Sequence, residues 1–393
     1  MVCYNLGMAT PRTCFLAFLL ALSMGVSAAS YDVAAFVWPA YQPEPRWAEL
    51  GIFGDGKGEW ENLYESCKRY PDDHQGVKPL WGYEDESDPV VVAHKIDAAV
   101  ASGVNVFIYD WYWYGGRPFL QRALEEGFLK AANRNRMKFY VMYANHNVNR
   151  LWDNKVGGAA KSDIVWPAKI TDGDWAKIVR TWIGYFREPN YYKIGGCPVL
   201  MIYEANEFVA WDGFEKAKAR IDCLRAEARR AGFPGVHLQV QAWFRKAKEL
   251  GVDSYTIYNW MYETWDRANS RTEPELTYAQ WGDMALRNFD EAQERASGFG
   301  AQFFPNLTIG WDTNARYPSN DVQTIIHGSS PVVFEHYARR VKEWADRRIG
   351  DGLPKLITVN SWNEWTEGSY LEPDDHLGYG YLDVVRKVFN GKE

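Results

Sequence analysis

From residue 33 onward, short runs rich in Val, Ile, Tyr and Phe alternate with longer stretches whose apolar positions recur at helical spacing. A brief apolar run reads as a buried strand and a 3.6-residue period as an amphipathic helix, so the alternation predicts a parallel sheet covered by helices. Eight strands are predicted, over residues 33–38, 105–110, 138–143, 198–203, 237–240, 254–258, 304–309 and 355–359. Helical patterns follow over 90–102, 120–133, 175–187, 214–231, 278–297, 332–348 and 379–389, with a shorter one at 243–250 after the fifth strand. Eight consecutive strand–helix units predict an α/β fold, a single (β/α)8 barrel of the TIM type. A doubly wound open sheet is the alternative, but no Gly-x-Gly-x-x-Gly follows the first strand, and no dinucleotide site is expected.

Loop lengths are unequal at the two ends of this barrel. Segments leading from strand to helix are long, about 39–89, 144–171, 259–277 and 310–330, whereas those leading from helix to strand are tight and carry Gly103, Gly232, Gly251 and Gly352 at helix ends. Barrel active sites are built from the strand-to-helix loops, so the elaborated face is where chemistry is expected.

The first thirty residues follow neither pattern. Arg12 is their only charge, an apolar stretch runs over 15–26, and Ser27, Ala28 and Ala29 follow, the arrangement of a secretory signal peptide. The expected division is therefore a signal over 1–29, cut after Ala28 or Ala29, and one catalytic barrel over 30–393, exported to a periplasm or to the exterior. The apolar run is shorter than the roughly 20 residues a membrane span needs, and no later segment is expected to span.

With 44 Lys and Arg against 51 Asp and Glu, the 393-residue chain has a formal charge of −7, which disfavours nucleic acid or an anionic lipid surface as partner. Cys67, Cys197 and Cys223 contain no close-spaced pair and are expected to be buried thiols, though one bridge would be possible in an oxidising compartment. The seven His are scattered without zinc-site spacing, so no metal and no cofactor is expected.

The strongest local signal lies at the end of the eighth strand, Trp362-Asn363-Glu364-Trp365-Thr366-Glu367-Gly368-Ser369-Tyr370-Leu371-Glu372-Pro373. Glu364 and Glu367 sit among tryptophans, where partial burial raises one carboxyl pKa while its neighbour stays ionised, as general acid and base work requires. Three residues of extended chain span at most about 10 Å, so the pair could flank one glycosidic bond. Other strand ends add Asp110, Trp111 and Tyr112, then Asn145 and His146, Glu204, Trp243, Tyr258, and Trp311, Asp312 and Arg316. Together with Trp362, Asn363, Trp365, Tyr370 and Glu372 they are the candidate substrate-binding set. Aromatic faces stack on the C–H faces of pyranose rings and amides, acids and Arg bond the hydroxyls, a lining suited to carbohydrate. The 19 Trp of the chain fit this picture, although each Trp alone is more often packing. Asp110 is open to a second reading as a helix cap, and Asn306-Leu307-Thr308, a glycosylation acceptor by pattern, falls within the seventh strand and is expected to be unused.

Asn363-Glu364-Trp365-x-Glu367-Gly368 followed by Glu372-Pro373 resembles the catalytic segment of family 99 of the glycoside hydrolases, the endo-acting α-mannosidases and endomannanases. The longer stretch from Trp362 to Pro373, with Trp311, Asp312 and Arg316, resembles more closely still the WbsX-like proteins associated with polysaccharide gene clusters. The resemblance implies a (β/α)8 fold, no metal, and retention of configuration through a 1,2-anhydro sugar, with Glu364 as base on the substrate's 2-hydroxyl and Glu367 as acid/base. The chain departs from the mannosidases at Thr366, where they have His, and in reading Gly-Ser-Tyr-Leu-Glu-Pro for Gly-Thr-Gln-Ile-Glu-Pro. The expected activity is thus an exported retaining hydrolase of an α-linked polysaccharide or oligosaccharide, mannan being the first guess. A WbsX-like glycosyltransferase, a non-catalytic carbohydrate-binding barrel and a conventional two-carboxylate retaining glycosidase are the alternatives; the sequence gives no oligomeric state.

Overall fold

The computed structural model describes residues 31–54, 57–66, 68, 76–241, 244–261 and 276–391. The signal segment, Cys67 and Trp243 lie outside them. The barrel strands are β1 Tyr31–Val37, β2 Val106–Tyr114, β3 Lys138–Tyr143, β4 Cys197–Ile202, β5 His237–Val240, β6 Ser254–Tyr255, β7 in two pieces at Gln302–Phe303 and Asn306–Thr308, and β8 Lys355–Asn360. They pair in parallel in sequence order, and β1 pairs with β8, Ala34 opposite Thr358. The ring closes through the divided strand. The first piece of β7 pairs with β6 and the second with β8, and Pro305 lies between them, its carbonyl accepting from Thr358 N at 3.0 Å while Phe304 N donates to Tyr255 O at 2.8 Å. Proline has no N–H for a ladder, so it interrupts the strand where the chain passes from one neighbour to the other.

The long outer helices are α1 Pro89–Ala101, α2 Asp172–Phe186, α3 Phe214–Arg230, α4 Tyr278–Ser297, α5 Pro331–Arg348 and α6 Gly380–Phe389. Their starts follow from local chemistry. Asp88 and Ser330 cap helices that open with Pro, and Thr171 with Asp174 and Thr277 with Gln280 form capping boxes. The helix expected after β2 over 120–133 is absent as a continuous α-helix. A wide π-type turn at Ala123–Gly127 and tight 3₁₀ turns at Phe128–Lys130 and Arg134–Arg136 take its place. The cause is close packing: a Cβ on Gly127 would sit 2.1 Å from the Glu86 carbonyl oxygen, so the segment is shaped to lie against residue 86. After β5 the helix is only Ala247–Leu250, shorter than expected.

The barrel interior is polar as well as packed. Tyr140 donates to Gln239 at 2.9 Å, Thr256 and Thr358 share a 2.8 Å bond, and the Asn306 amide donates to Thr358 Oγ1 and to the Tyr258 carbonyl. Asn306 is fully buried, with its amide bonded inside the barrel. Cys197 and Cys223, both expected to be buried, are free thiols, Cys197 half-buried at the start of β4 and Cys223 exposed on α3. Among the described residues no helix is long and apolar enough to cross a membrane.

The first long loop carries helices Arg46–Leu50 and Trp60–Tyr64, and the third a short hairpin of Val148–Asn149 with Ile164–Trp166. Glu59 precedes the second of these helices and is placed by its neighbour. Gly58 packs so closely that a Cβ there would meet the Gln42 and Ala40 carbonyls at 2.6 and 2.8 Å, and Glu59 N then donates to Ala40 O at 2.9 Å.

Because backbone cannot yield at 2.1 Å, Gly127→Ala is expected to destabilise the fold by about 1–3 kcal/mol, the usual cost of overpacking. A lowered denaturant midpoint at unchanged slope would show it; an unaltered midpoint would mean that the turn has room to spare.

Candidate active site

At the C-terminal end of the barrel the guanidinium of Arg316 is buried among three glutamates. Its Nε donates to Glu59 Oε1 at 2.9 Å, Nη1 to Glu367 Oε1 at 2.6 Å and Nη2 to Glu364 Oε1 at 3.2 Å. The Trp38 ring lies under the cation, 5.6 Å from its carbon. Each glutamate has a different environment. Glu364 also accepts from the Tyr258 hydroxyl at 2.6 Å, and its own N–H bonds the Ser361 hydroxyl at 2.8 Å. The Tyr258 oxygen stands 3.4 Å from Asp110 Oδ2, which brings a fourth carboxyl group to the cluster. Glu367 Oε2 is buried, and among the described residues no group donates to it.

The electrostatics follow from these contacts. Burial, reinforced by neighbouring Glu364 and opposed by Arg316, pushes the Glu367 carboxyl up to about 8. Burial also raises Glu364, but there Arg316 and the Tyr258 hydroxyl both favour the anion. Asp110 is driven far above the carboxylate range by burial and then by Glu364. The two glutamates titrate as a pair, each raised by burial. Glu364 has a donor on each oxygen and suits the anion; Glu367 has one oxygen held by Arg316 and the other available to carry a proton. His146 is kept neutral by burial first and by Arg316 as a like charge, with an Asn147 carbonyl contact opposing.

Of the residues singled out from sequence, Glu364, Glu367, Arg316, Tyr258 and Asp110 are brought into this cluster. Tyr112 stands beside them, its ring 5.8 Å from Trp38 and 5.6 Å from His146. Trp311 is half-buried at the rim. The others are engaged in the framework. Trp111, on the opposite face of β2 from Asp110, donates to the Tyr185 hydroxyl and packs on Trp182. Trp362 packs on Phe107, and Trp365 stacks on Tyr370 at 3.7 Å. Asn145 clasps the end of β4, bonding both the N–H and the carbonyl of Glu204, which is itself half-buried. The Asp312 carboxylate accepts from Asn314, shaping the turn that presents Arg316.

Asn363 and Glu372 belong to a second buried cluster behind the first. Asn363 bonds Trp38 in both directions and donates to Glu86, Glu372 accepts from Trp365 Nε1 at 2.9 Å, and Lys95 from α1 pairs with Glu86 and Glu372, each at 2.7 Å. Burial, opposed by Lys95 and reinforced by Glu372, raises Glu86 to about 7. Burial disfavours the Lys95 ammonium, yet Glu372 and Glu86 outweigh it and hold the lysine above its usual range.

Lys161, from the third loop, donates to the carbonyls of Arg150, Leu151 and Asp153 and to that of Arg316. Glu59, Glu86, Lys95 and Lys161 were not anticipated from sequence. Glu59 stands near Glu61 and Glu65 with nothing in composition to set it apart; the one available signal was the glycine before it.

A (β/α)8 barrel with an unequal pair of buried carboxyl groups at its C-terminal rim is the architecture of glycoside hydrolases. The chain belongs to the WbsX glycosyltransferase family, whose model matches residues 33–385. It is 25% identical over 378 residues to the uncharacterised protein WxcX of Xanthomonas campestris pv. campestris, covering 91% of this chain and 49% of that protein. The chain therefore spans about half the length of the curated relatives it matches. Among solved structures it resembles a glycoside hydrolase-like protein with a TM-score of 0.60 and 15% identity, over 97% of each chain. It also resembles the GH99 endo-alpha-mannosidase from Bacteroides thetaiotaomicron, with a TM-score of 0.55 and 14% identity over 93% of this chain and 98% of that one. At such identities the likeness is one of fold.

Replacing Lys95 by Met leaves Glu86 and Glu372 buried without their cation, so a loss of about 3–5 kcal/mol in unfolding free energy is expected. Urea denaturation at neutral pH measures it, and a loss below about 1 kcal/mol would show the pair to be dispensable.

Proposed function

We propose that this chain is an exported, retaining glycoside hydrolase of an α-linked polysaccharide or glycan, mannan being the first substrate to try, and that it works through a 1,2-anhydro sugar. The observation that carries the reading is the inequality of Glu364 and Glu367 across the single guanidinium of Arg316. Ionised Glu364 removes the proton of the substrate's 2-hydroxyl, and that oxygen attacks the anomeric carbon. Protonated Glu367 gives its proton to the departing glycosidic oxygen as the bond breaks. Water then opens the three-membered ring at the anomeric carbon while Glu367 takes the water's proton and Glu364 returns its own to the 2-oxygen. Two inversions give retention, and both carboxyl groups end as they began. Asp110, Tyr112, His146 and Trp311 are the side chains proposed to hold the sugar.

The two glutamates carry a shared expectation. Glu364→Gln and Glu367→Gln should each lower kcat/KM for release of reducing sugar by about 10²–10⁴-fold, the range for a lost acid or base. Activity needs Glu367 protonated and Glu364 ionised, so the rate should fall as pH rises through about 8 and fall again as pH drops through the Glu364 titration. A 2-deoxy substrate should bind and not turn over; its efficient cleavage would sink the anhydro-sugar route. The family's description favours a second reading, a glycosyltransferase. Turnover of a nucleotide sugar by a protein that hydrolyses no glycan would establish that reading instead.

Export is proposed on the character of residues 1–29 alone. Sequencing the N-terminus of the protein from outside the cytoplasm should find Ala29 or Ser30 first, and an intact Met1 there would contradict processing.

A further inference from the structure

Glu59 takes no part in the proton transfers above, yet it is completely buried and holds the third edge of the Arg316 guanidinium. We infer that Glu59 is a positioning residue for the acid–base pair: it locks Arg316 in the orientation that reaches both Glu364 and Glu367, and it divides the guanidinium charge so that the pair does not receive all of it. This inference rests on the reading of Glu364 and Glu367 as that pair.

The geometry is a double grip. A guanidinium presents its N–H groups in one rigid plane, so fixing Nε fixes where Nη1 and Nη2 point. Glu59 Oε1 fixes Nε at 2.9 Å and also accepts from the Thr366 hydroxyl at 3.0 Å. Thr366 lies between Glu364 and Glu367 in the chain, so one carboxylate oxygen reaches the pair both through Arg316 and through the backbone that carries it. Oε2 accepts from Trp38 Nε1, the indole under the cation. With no surface exposed, Glu59 meets no substrate; it acts through Arg316, through Thr366 and through its charge.

Its charge has a calculable sign. Glu59 itself is faced by Arg316, by Tyr41 of its own loop and by Lys161 of the third loop. Around the pair stand Asp110 and Tyr112 from β2, Tyr258 after β6, His146 after β3 and Tyr317 beside Arg316. The cations among these are Arg316 and Lys161. Removing the Glu59 charge makes the surroundings of Glu364 and Glu367 more positive, and both should then lose their protons at lower pH.

Glu59→Gln alone would set an amide N–H against either Arg316 or the Trp38 indole N–H, so the substitution is made in a Trp38→Phe background, with Trp38→Phe as its reference. The readout is titration of the protonated carboxyl band by infrared difference spectroscopy in the resting protein, assigned to Glu367 with Glu367→Gln. It needs no substrate, so the hydrolase reading can fail without deciding this one. The Glu367 midpoint should fall by about one unit or more on Glu59→Gln. Thr366→Val keeps Glu59 but removes a donor that offsets its charge, and the midpoint should rise by about a few tenths of a unit. A residue that merely filled space would alter thermal stability and leave the midpoint in place; an unmoved midpoint in either folded variant overturns the inference.

Discussion

One guanidinium organises the working end of this barrel. Arg316 is taken almost wholly out of water, a placement that costs several kcal/mol unless its donors are satisfied by anions in good geometry. Three glutamates supply that geometry from different parts of the chain, Glu59 from the first loop and Glu364 and Glu367 from the turn after β8. The cation in turn permits three carboxyl groups to lie close together in a dry site, where their mutual repulsion would otherwise force protons onto all of them. The inequality between Glu364 and Glu367 is then a matter of second partners: a tyrosine hydroxyl on one, and none on the other among the described residues.

Behind this centre lies a second charged cluster built on the same plan of one cation among several anions: one lysine, two glutamates and the amide of Asn363. Lys95 belongs to α1, Glu86 to the loop before it, and Glu372 to the end of the β8 motif. The motif thereby divides by facing. Glu364 and Glu367 turn to the mouth, whereas Asn363, Trp365, Tyr370 and Glu372 tie the turn to α1 and to one another. Four framework residues hold Glu364 and Glu367 at fixed separation, and a rigid shell of this kind is what a preorganised site requires.

The barrel was legible in the sequence because strand and helix periods differ and the alternation ran through eight units. Where it failed, tertiary contact overrode period. The stretch over 120–133 has helical spacing, but Gly127 is pressed against the Glu86 carbonyl and the chain winds into mixed turns instead. The stretch 304–309 was expected to be one strand, but β7 breaks at Pro305, and nothing local revealed that its two pieces would pair with different neighbours. At the site, Glu364 and Glu367 stood out because tryptophans surround them in the chain itself, and Arg316 because it follows the end of the seventh strand. Glu59 is recruited across 257 residues by a cation it cannot foresee, and Lys95 looked like any lysine on an amphipathic helix. Aromatic residues at strand ends divide by the two-residue alternation of a strand: Tyr112 shares a face with Asp110, while Trp111 between them packs outward on α2.

The single ammonium of Lys161 ties the third loop to the seventh at the carbonyl of Arg316 itself. These two loops consequently behave as one wall, and the segment carrying the guanidinium is assembled before any ligand arrives. Loops of a barrel rim are often free to close over what they bind; here ordering entropy has already been spent during folding, so none of the energy of a later contact need go to building this wall. Such a rim is a finished surface, with the rigidity of a mould.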